Sequence, residues 1–198
     1  MRSGLYVFSG GYILDKKYIQ SYINSNITII IDTREKKCEH IVAYLDKNRI
    51  KHITQKLDVG DYSFTFNEMN YSDEIVIERK ASLDEIVGNF TGHVLSTKKD
   101  EKGNFIKLSN RDRFEREFLR MQTSKKYLLI ENASWEKIYR HGYRSQLPPE
   151  SLAASMYTFQ HRFKINTIFA SREYTQQVIY GVFFYYLREK ILNKEVMV

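Results

Sequence analysis

Residues 27–31 read Ile-Thr-Ile-Ile-Ile, so every side chain in this segment is β-branched. Such side chains favour extended backbone, and a nearly continuous apolar run predicts a strand that is buried on both faces. Strands of this kind lie in the middle of a mixed or parallel sheet. The run ends on a charged residue, Asp32, which is an unusual side chain to find where a buried strand stops.

The rest of the chain alternates strands with helices. Ser82 and Glu85 form a capping-box pattern, which places a helix start at Leu83. Strands 50–57 and 62–66 flank a Gly-containing turn, an arrangement typical of a hairpin. The predicted helices cover 35–47, 83–89, 111–121, 150–162 and 174–192, and further strands cover 74–79, 126–131 and 165–170, with a polar loop or exposed hairpin over 91–110.

This alternation predicts an α/β fold with a mixed central sheet flanked by helices. We expect a single domain over residues 27–198, preceded by an N-terminal extension, residues 1–26, that packs on its core. With 42% hydrophobic residues among 198, the chain has enough apolar material for such a core, which excludes disorder throughout. The apolar run near the end, residues 179–186, is too short for a membrane span. A lone cysteine, Cys38, favours a reducing, cytoplasmic setting.

Positive charge is concentrated in the second half of the chain. The net charge is +7 overall, and residues 98–126 alone hold 10 basic and 5 acidic side chains. A basic block of this kind suits a polyanionic partner such as DNA. The predicted DNA contacts are Lys98, Lys99, Lys102, Arg111 and Arg113.

Acidic residues stand where strands end or turn, namely Asp32, Asp61 and Glu78. Lys80 follows Glu78 by two positions, so both side chains lie on one face of an extended chain. Paired carboxylates bind Mg²⁺, which lowers the pKa of a bound water and neutralises charge on a phosphate. The pattern therefore indicates a metal-dependent phosphodiesterase, in which the lysine orients the water or stabilises developing charge.

Three longer stretches make this pattern more specific. They are Asp32-Thr33-Arg34-Glu35, Gly60-Asp61-Tyr62 and Glu78-Arg79-Lys80-Ala81-Ser82-Leu83-Asp84, in that order. The set resembles the nuclease domain of the XPF family of structure-selective DNA endonucleases, whose motifs are D-x-R-E, G-D-Y and E-R-K-x-x-x-D. Arg113-Phe114-Glu115 and Tyr127-Leu128-Leu129-Ile130-Glu131 extend the resemblance, which covers residues 27–131. It implies a restriction-endonuclease-like (PD-(D/E)xK) core.

The resemblance also implies roles for the metal ligands. Asp61 and Glu78, with the backbone carbonyl of Arg79, would bind the principal ion, Mg²⁺ or Mn²⁺. Asp32 and Glu35 would hold a second ion together with Asp61, or would orient the first ion through water.

The other motif residues would act on the phosphate or on each other. Lys80 would position the attacking water. Arg79 would touch a phosphate or brace the carboxylates, and Asp84 would anchor Lys80 or Arg79. For Asp84 an ordinary acidic residue at a helix start stays an alternative.

We therefore expect a stand-alone, Mg²⁺- or Mn²⁺-dependent DNA endonuclease of bacterial or viral type, acting on branched, forked or flapped DNA. Two alternatives stay open: a restriction-like endonuclease that reads a sequence, and a catalytically silent DNA-binding subunit. The last predicted helix, 174–192, is apolar over far more than one stripe, with Val178, Val182, Tyr185 and Leu192 on one side. This predicts a homodimer that forms through the C-terminal helix region.

Overall fold

A computed structural model describes residues 5–7, 13–99, 103, 105–121, 125–193 and 195–196. In chain order the elements are β1 (Leu5–Val7), β2 (Ile13–Asp15), α1 (Lys16–Asn26), β3 (Ile27–Ile31), α2 (Glu39–Lys47), β4 (Lys51–Thr54), β5 (Tyr62–Phe66), β6 (Met69–Asn70), β7 (Ile75–Lys80), α3 (Leu83–Thr91), β8 (His93–Lys99), β9 (Phe105–Ser109), α4 (Asn110–Arg120), β10 (Lys125–Glu131), α5 (Trp135–Tyr139), α6 (Pro149–Phe163), β11 (Ile165–Ala170) and α7 (Thr175–Leu192).

The chain forms two compact units. Unit 1 comprises Met1–Leu57, Tyr62–Ser72 and Tyr174–Val198, and unit 2 comprises Asp58–Asp61 and Asp73–Glu173.

Unit 1 is built around β3, the β-branched strand. β4 pairs with β3 in parallel and β5 pairs with it antiparallel, while β6 extends β5 in an antiparallel pair. The sheet is therefore mixed, and four of the five β3 side chains are buried, as the sequence predicts. On β5, the ring of Phe64 packs 5.1 Å from Phe183 of α7 and stacks 4.8 Å from Tyr71.

The predicted hairpin between residues 50–57 and 62–66 is wrong. β4 and β5 both pair with β3, with Ile53 opposite Ile30 in the parallel ladder and Ser63 opposite Ile30 in the antiparallel one. The buried central strand offers two ladder edges, and each neighbour takes one of them. α2 makes the crossover to the parallel strand, and it begins at Glu39 rather than at residue 35 because Glu35 N–H first closes a turn onto the carbonyl of Asp32, at 3.0 Å.

Unit 2 contains three parallel strands in the order β11, β10, β7. Lys80 lies opposite Ile130 and Glu131 lies opposite Ala170, so the carboxyl ends of all three strands meet at one edge. All six β7 residues are buried. The helices of this unit bury an aromatic core that includes Phe90, Phe114, Phe118, Phe159 and Phe163.

Local predictions in this unit agree with the structure. α3 begins at Leu83, and the hydroxyl of Ser82 accepts the Glu85 backbone N–H at 3.3 Å. Glu85 Oε2 in turn accepts the backbone N–H of Ala81 at 2.9 Å. In a capping box this carboxylate accepts the N–H of the capping residue itself, so here the second bond is shifted by one residue. Within the 91–110 segment, β8 and β9 pair antiparallel, with His93 opposite Ser109.

α7 in unit 1 buries a single stripe spaced by four residues: Thr175, Ile179, Phe183, Leu187 and Ile191. On its other faces Val178 and Val182 are half-buried and Tyr185 is 55% exposed. Among the described residues, no helix combines the length and apolar character needed to cross a membrane. The predicted α/β class with a mixed sheet flanked by helices is confirmed.

Candidate active site

The turn before β5 fixes the first carboxylate of the site. Gly60 has φ +76°, and a Cβ placed there would lie 3.0 Å from Val76 Cβ and 3.3 Å from the Ile77 carbonyl, so glycine is required. The next residue, Asp61, donates its N–H to that carbonyl at 2.9 Å. Its Oδ2 accepts the Arg79 backbone N–H at 2.7 Å. Two bonds thus fix Asp61 beside the carboxyl end of β7.

Glu78 and Lys80 share the face of β7 that alternation predicts. Lys80 Nζ donates to Glu78 Oε1 at 2.6 Å, and both residues are buried. Glu85 Oε1, from the first turn of α3, lies 3.8 Å from the same ammonium group. The ring of Phe114 lies 5.5 Å from Nζ, measured to its centroid. One buried cation is therefore held between carboxylates and an aromatic face.

The charge state of Lys80 follows from these neighbours. Burial alone would lower the pKa of the ammonium group, but Glu78, Asp61 and Glu85 outweigh it, and the pKa is raised. The side chain therefore stays protonated throughout the physiological pH range. A protonated lysine donates hydrogen bonds and stabilises negative charge, so it serves as a donor here and does not serve as a base.

Arg79 points to the other face of β7. Its Nη1 lies 3.0 Å from Oε1 of Glu131, and the two side chains are 4% and 0% exposed. A guanidinium so enclosed favours the bracing role predicted for Arg79 over a phosphate contact. Glu131 stands at the end of β10, two positions beyond Leu129, which is the partner of Arg79 in the parallel ladder.

Asp84 departs from its predicted contact. Its Oδ1 accepts the backbone N–H of Arg144 at 2.8 Å, and its Oδ2 lies 3.2 Å from Arg144 Nε. The backbone bond from Arg144 lowers the pKa of this carboxyl most, and the Arg144 and Lys137 charges add to the effect. Asp84 thus anchors a distant loop, whereas Glu85 is the α3 carboxylate next to Lys80.

A further carboxylate, Glu117 on α4, belongs to this cluster, and the sequence patterns did not single it out. Burial raises the pKa of Glu117, and the charge of Glu78 raises it further, while Lys80, Arg113 and Arg120 act in the opposite direction. The charges around Lys80 therefore come from β7, from α3, from α4 and from the turn that holds Asp61.

Asp32 and Glu35 lie in unit 1, in the turn after β3. Asp32 Oδ1 accepts Arg34 N–H at 2.8 Å and Arg34 Nε at 2.7 Å, and Oδ2 accepts the Leu57 N–H at 2.6 Å. Burial would raise the pKa of Asp32, but these bonds outweigh it and the pKa is lowered. Asp32 is therefore an ionised anchor for residues 34 and 57. Glu35 is half-buried.

The predicted DNA contacts fall into two groups. Lys98 and Lys99 are the last residues of β8, while Lys102 lies outside the described residues. On α4, Arg111 Nε donates to Glu115 Oε1 at 3.3 Å, and the guanidinium lies about 6 Å from the Phe90 and Phe159 rings. Arg111 is thus partly engaged within the fold, and Arg113 is exposed.

Comparison with known proteins identifies the family. The model of the ERCC4 domain matches residues 31–182. The chain belongs to the ERCC4 domain family. The match includes Asp61, Glu78, Arg79, Lys80 and Glu131, so the whole cluster in unit 2 falls within the ERCC4 domain.

Solved structures show the same fold. XPF from Aeropyrum pernix matches with a TM-score of 0.56 and 20% identity, covering 85% of this chain and 69% of that one. The structure of Aeropyrum pernix XPF in complex with DNA matches with a TM-score of 0.55 and 19% identity, covering 82% and 66%. No curated protein shows significant sequence similarity. The resemblance to the XPF nuclease domain is confirmed, and membership of the ERCC4 family supports a DNA endonuclease activity.

The oxygen chemistry of the ERCC4 cluster suits a hard divalent cation. Asp61 and Glu78 both act on one positive charge, the Lys80 ammonium group, so the fold already directs carboxylates toward a cation. One oxygen of each carboxylate accepts a hydrogen bond within the cluster, Oδ2 of Asp61 from the Arg79 N–H and Oε1 of Glu78 from Lys80 Nζ. Within the described ranges, no three His, Cys, Asp or Glu side chains are grouped as a ready metal site. The residues therefore fit a site with two protein carboxylates, for which Mg²⁺ retains water ligands.

Proposed function

We propose that this ERCC4 domain is a metal-dependent DNA endonuclease that hydrolyses phosphodiester bonds in branched, forked or flapped DNA. The observation that carries the proposal is the buried Lys80 side chain, which donates to Glu78 and lies within the field of the Asp61 charge. Placing several carboxylates near each other is unfavourable without a cation, and a domain with only a scaffolding role has no need of such a cluster. Phosphodiester hydrolysis does need them, because its transition state gathers negative charge at one phosphate.

Asp61 and Glu78 are the residues that would hold Mg²⁺ or Mn²⁺. When bound, such an ion lowers the pKa of a water molecule and neutralises charge on the phosphate. The chain's own contribution is positional, since the N–H of Arg79 and the ammonium group of Lys80 each orient one carboxylate. The roles that the XPF resemblance gives to Asp32 and Glu35 stay predictions.

Lys80 would donate hydrogen bonds to the attacking water or to a phosphate oxygen. Its raised pKa keeps the proton in place, so the chemistry does not depend on deprotonating the lysine near neutral pH. The Arg79–Glu131 pair lies on the other face of β7 and joins β7 to the end of β10 behind the site. Losing one positioned donor of this kind costs on the order of 10²-fold in rate.

A second copy of this chain is the proposed protein partner. The support is α7, whose buried stripe leaves Val178 and Val182 half-buried and Tyr185 55% exposed. A surface helix needs only one apolar stripe, so additional apolar residues on the same helix suit a two-fold contact.

A cleavage panel tests the proposed activity. Labelled fork, flap, four-way junction and linear duplexes of matched sequence are incubated with the chain in Mg²⁺, in Mn²⁺ and in EDTA. We expect Mg²⁺-dependent cuts near the branch point, at positions that move with the branch when the sequence is permuted.

Two other outcomes would each support a different function. Cuts at one recurrent sequence in linear duplex would indicate a sequence-reading endonuclease. Binding to DNA without cleavage under any metal condition would indicate a catalytically silent subunit. Either result would overturn the proposal.

A further inference from the structure

We propose that Arg144 contacts a DNA phosphate next to the catalytic cluster, and that Asp84 is the residue that positions it. The proposal rests on the proposed endonuclease function and specifies where unit 2 holds its substrate. It concerns a loop between α5 and α6 that carries none of the sequence motifs.

The loop is attached to α3 at a defined place. Arg144 N–H donates to Asp84 Oδ1 at 2.8 Å, and Arg144 Nε lies 3.2 Å from Oδ2. Asp84 is in the first turn of α3, four residues after Lys80. The backbone bond does not depend on the Arg144 side chain, so the position of the loop and the identity of its side chain can be tested separately.

The loop is also ordered from within. The N–H of Gly142 donates to the Lys137 carbonyl at 2.8 Å, and a Cβ on Gly142 would lie 2.5 Å from Lys137 Cγ. The hydroxyl of Tyr143, a buried residue, donates to the Leu147 carbonyl at 2.7 Å. Such internal bonds reduce the entropy lost when a loop binds a ligand. Arg144 is therefore presented on a preformed support.

The guanidinium group itself faces solvent. The Arg144 side chain is 89% exposed, although Asp84 holds its Nε. Arg is suited to phosphate recognition because its planar group offers several N–H donors, and only the Nε donor is used by Asp84. The Nε of Arg144 is held by Asp84 while the rest of the guanidinium group faces solvent, so the side chain can contact a phosphate without changing its position.

The surroundings are positively charged. Residues 137–149 contain Lys137, Arg140 and Arg144 and no acidic residue. Lys137 Nζ donates to the Asn132 carbonyl at 2.9 Å, just after β10, and its charge acts on Asp84. These basic groups therefore lie at the carboxyl ends of β7 and β10, the same end of the parallel strands at which Lys80 and Glu131 stand. Arg140 pairs with Glu136 of its neighbouring helix α5 at 3.0 Å, whereas Arg144 is attached to α3, the helix that follows Lys80, so Arg144 is the stronger candidate.

A matched control lies at the opposite edge. Arg162 is 52% exposed and pairs with Glu115 at 3.3 Å. It stands in the last turn of α6, just before β11 begins, and the start of β10 contacts the same place through a bond from Lys126 Nζ to the Phe163 carbonyl. Arg162→Ala removes the same charge as Arg144→Ala, but at the amino ends of the strands.

The test measures binding of a labelled forked duplex in EDTA, which prevents cleavage, at several salt concentrations. Arg144→Ala should raise Kd about 1.5- to fivefold at 0.1 M salt, the range for one exposed charged contact. It should also flatten the slope of log K against log salt by about 0.9, as expected for one lost phosphate contact. Arg144→Lys should restore the slope, and Arg162→Ala should leave both quantities unchanged.

The positioning role of Asp84 is tested in a double-mutant cycle with Arg144. Asp84→Ala should weaken binding in the wild-type background and have no further effect once Arg144 is alanine, whereas a merely structural role would weaken both backgrounds equally. If wild type binds and cleaves forked DNA but Arg144→Ala matches it in Kd and slope, this inference fails alone. Equal losses in Arg144→Ala and Arg162→Ala would also overturn it. Failure of the wild type to cleave any substrate would instead defeat the proposed function.

Discussion

Removing Glu131 should destabilise the domain far more than removing an exposed charge. Glu131→Ala leaves the Arg79 guanidinium, 4% exposed, without the carboxylate that lies 3.0 Å from it. Breaking a buried ion pair by deleting one partner costs about 3–5 kcal/mol, a large share of a total stability of about 5–15 kcal/mol. For a chain of 198 residues, each kcal/mol shifts Tm by about 2–4 °C, so Tm should fall by roughly 6–20 °C.

Thermal and urea unfolding of five variants measures this effect: Glu131→Ala, its control, and a double-mutant cycle of changes to leucine. The matched control is Arg162→Ala, which breaks an exposed pair and should cost about 1 kcal/mol or less. The double variant Arg79→Leu, Glu131→Leu removes both charges, so its cost should be smaller than the sum of the two single changes to leucine. A Glu131→Ala loss no larger than the control loss, or additive costs in the double variant, would refute the reasoning.

Three further predictions concern the pH dependence of stability, DNA binding and the oligomeric state. The pKa of Glu117 is raised in the folded state, so the wild-type domain loses stability as the pH rises above 4.5, the ordinary pKa of a glutamate side chain. Glu117→Gln should therefore raise Tm at pH 7–8 in EDTA, and this gain should vanish below pH 4.5. Replacing Lys98, Lys99 and Lys102 with glutamine should weaken binding to all DNA substrates and flatten the slope of log K against log salt by about 0.9 per lost phosphate contact. An unchanged slope would show that these lysines do not contact DNA. Light scattering at micromolar concentration should give a dimer for wild type and a smaller mass for the folded Phe184→Glu, Tyr185→Glu variant; a strictly monomeric wild type would contradict the homodimer.

Local features of the fold could be predicted because short stretches of sequence determine them. The β-branched run of residues 27–31 specifies a buried strand wherever the rest of the sheet lies, and Ser82 marks the start of α3 through its own hydroxyl. Alternation along β7 places Glu78 and Lys80 on one face whatever their neighbours are. These predictions needed no information about distant residues.

Pairing between distant segments could not be predicted in the same way. The composition of the turn before residue 62 predicts a hairpin, but β4 and β5 pair instead with the two sides of β3, a choice that depends on a strand distant in sequence. Asp84 and Arg144 are 60 residues apart, and a capping position gives no sign of such a contact. Glu131 offered one usable signal, since a charge at the end of a buried strand had already identified Asp32 and Glu78.

A metal-binding role for Asp61 and Glu78 is the proposed basis of cleavage. Its most direct test compares Mg²⁺-dependent cleavage of forked DNA by Asp61→Asn and Glu78→Gln with cleavage by Glu150→Ala, an exposed acid of the same unit. The two amide variants retain hydrogen-bond acceptors for Arg79 and Lys80, so the fold and DNA binding in EDTA should be preserved. We expect cleavage to be abolished in both amide variants and unchanged in Glu150→Ala. Wild-type cleavage rates in either amide variant would contradict the assignment.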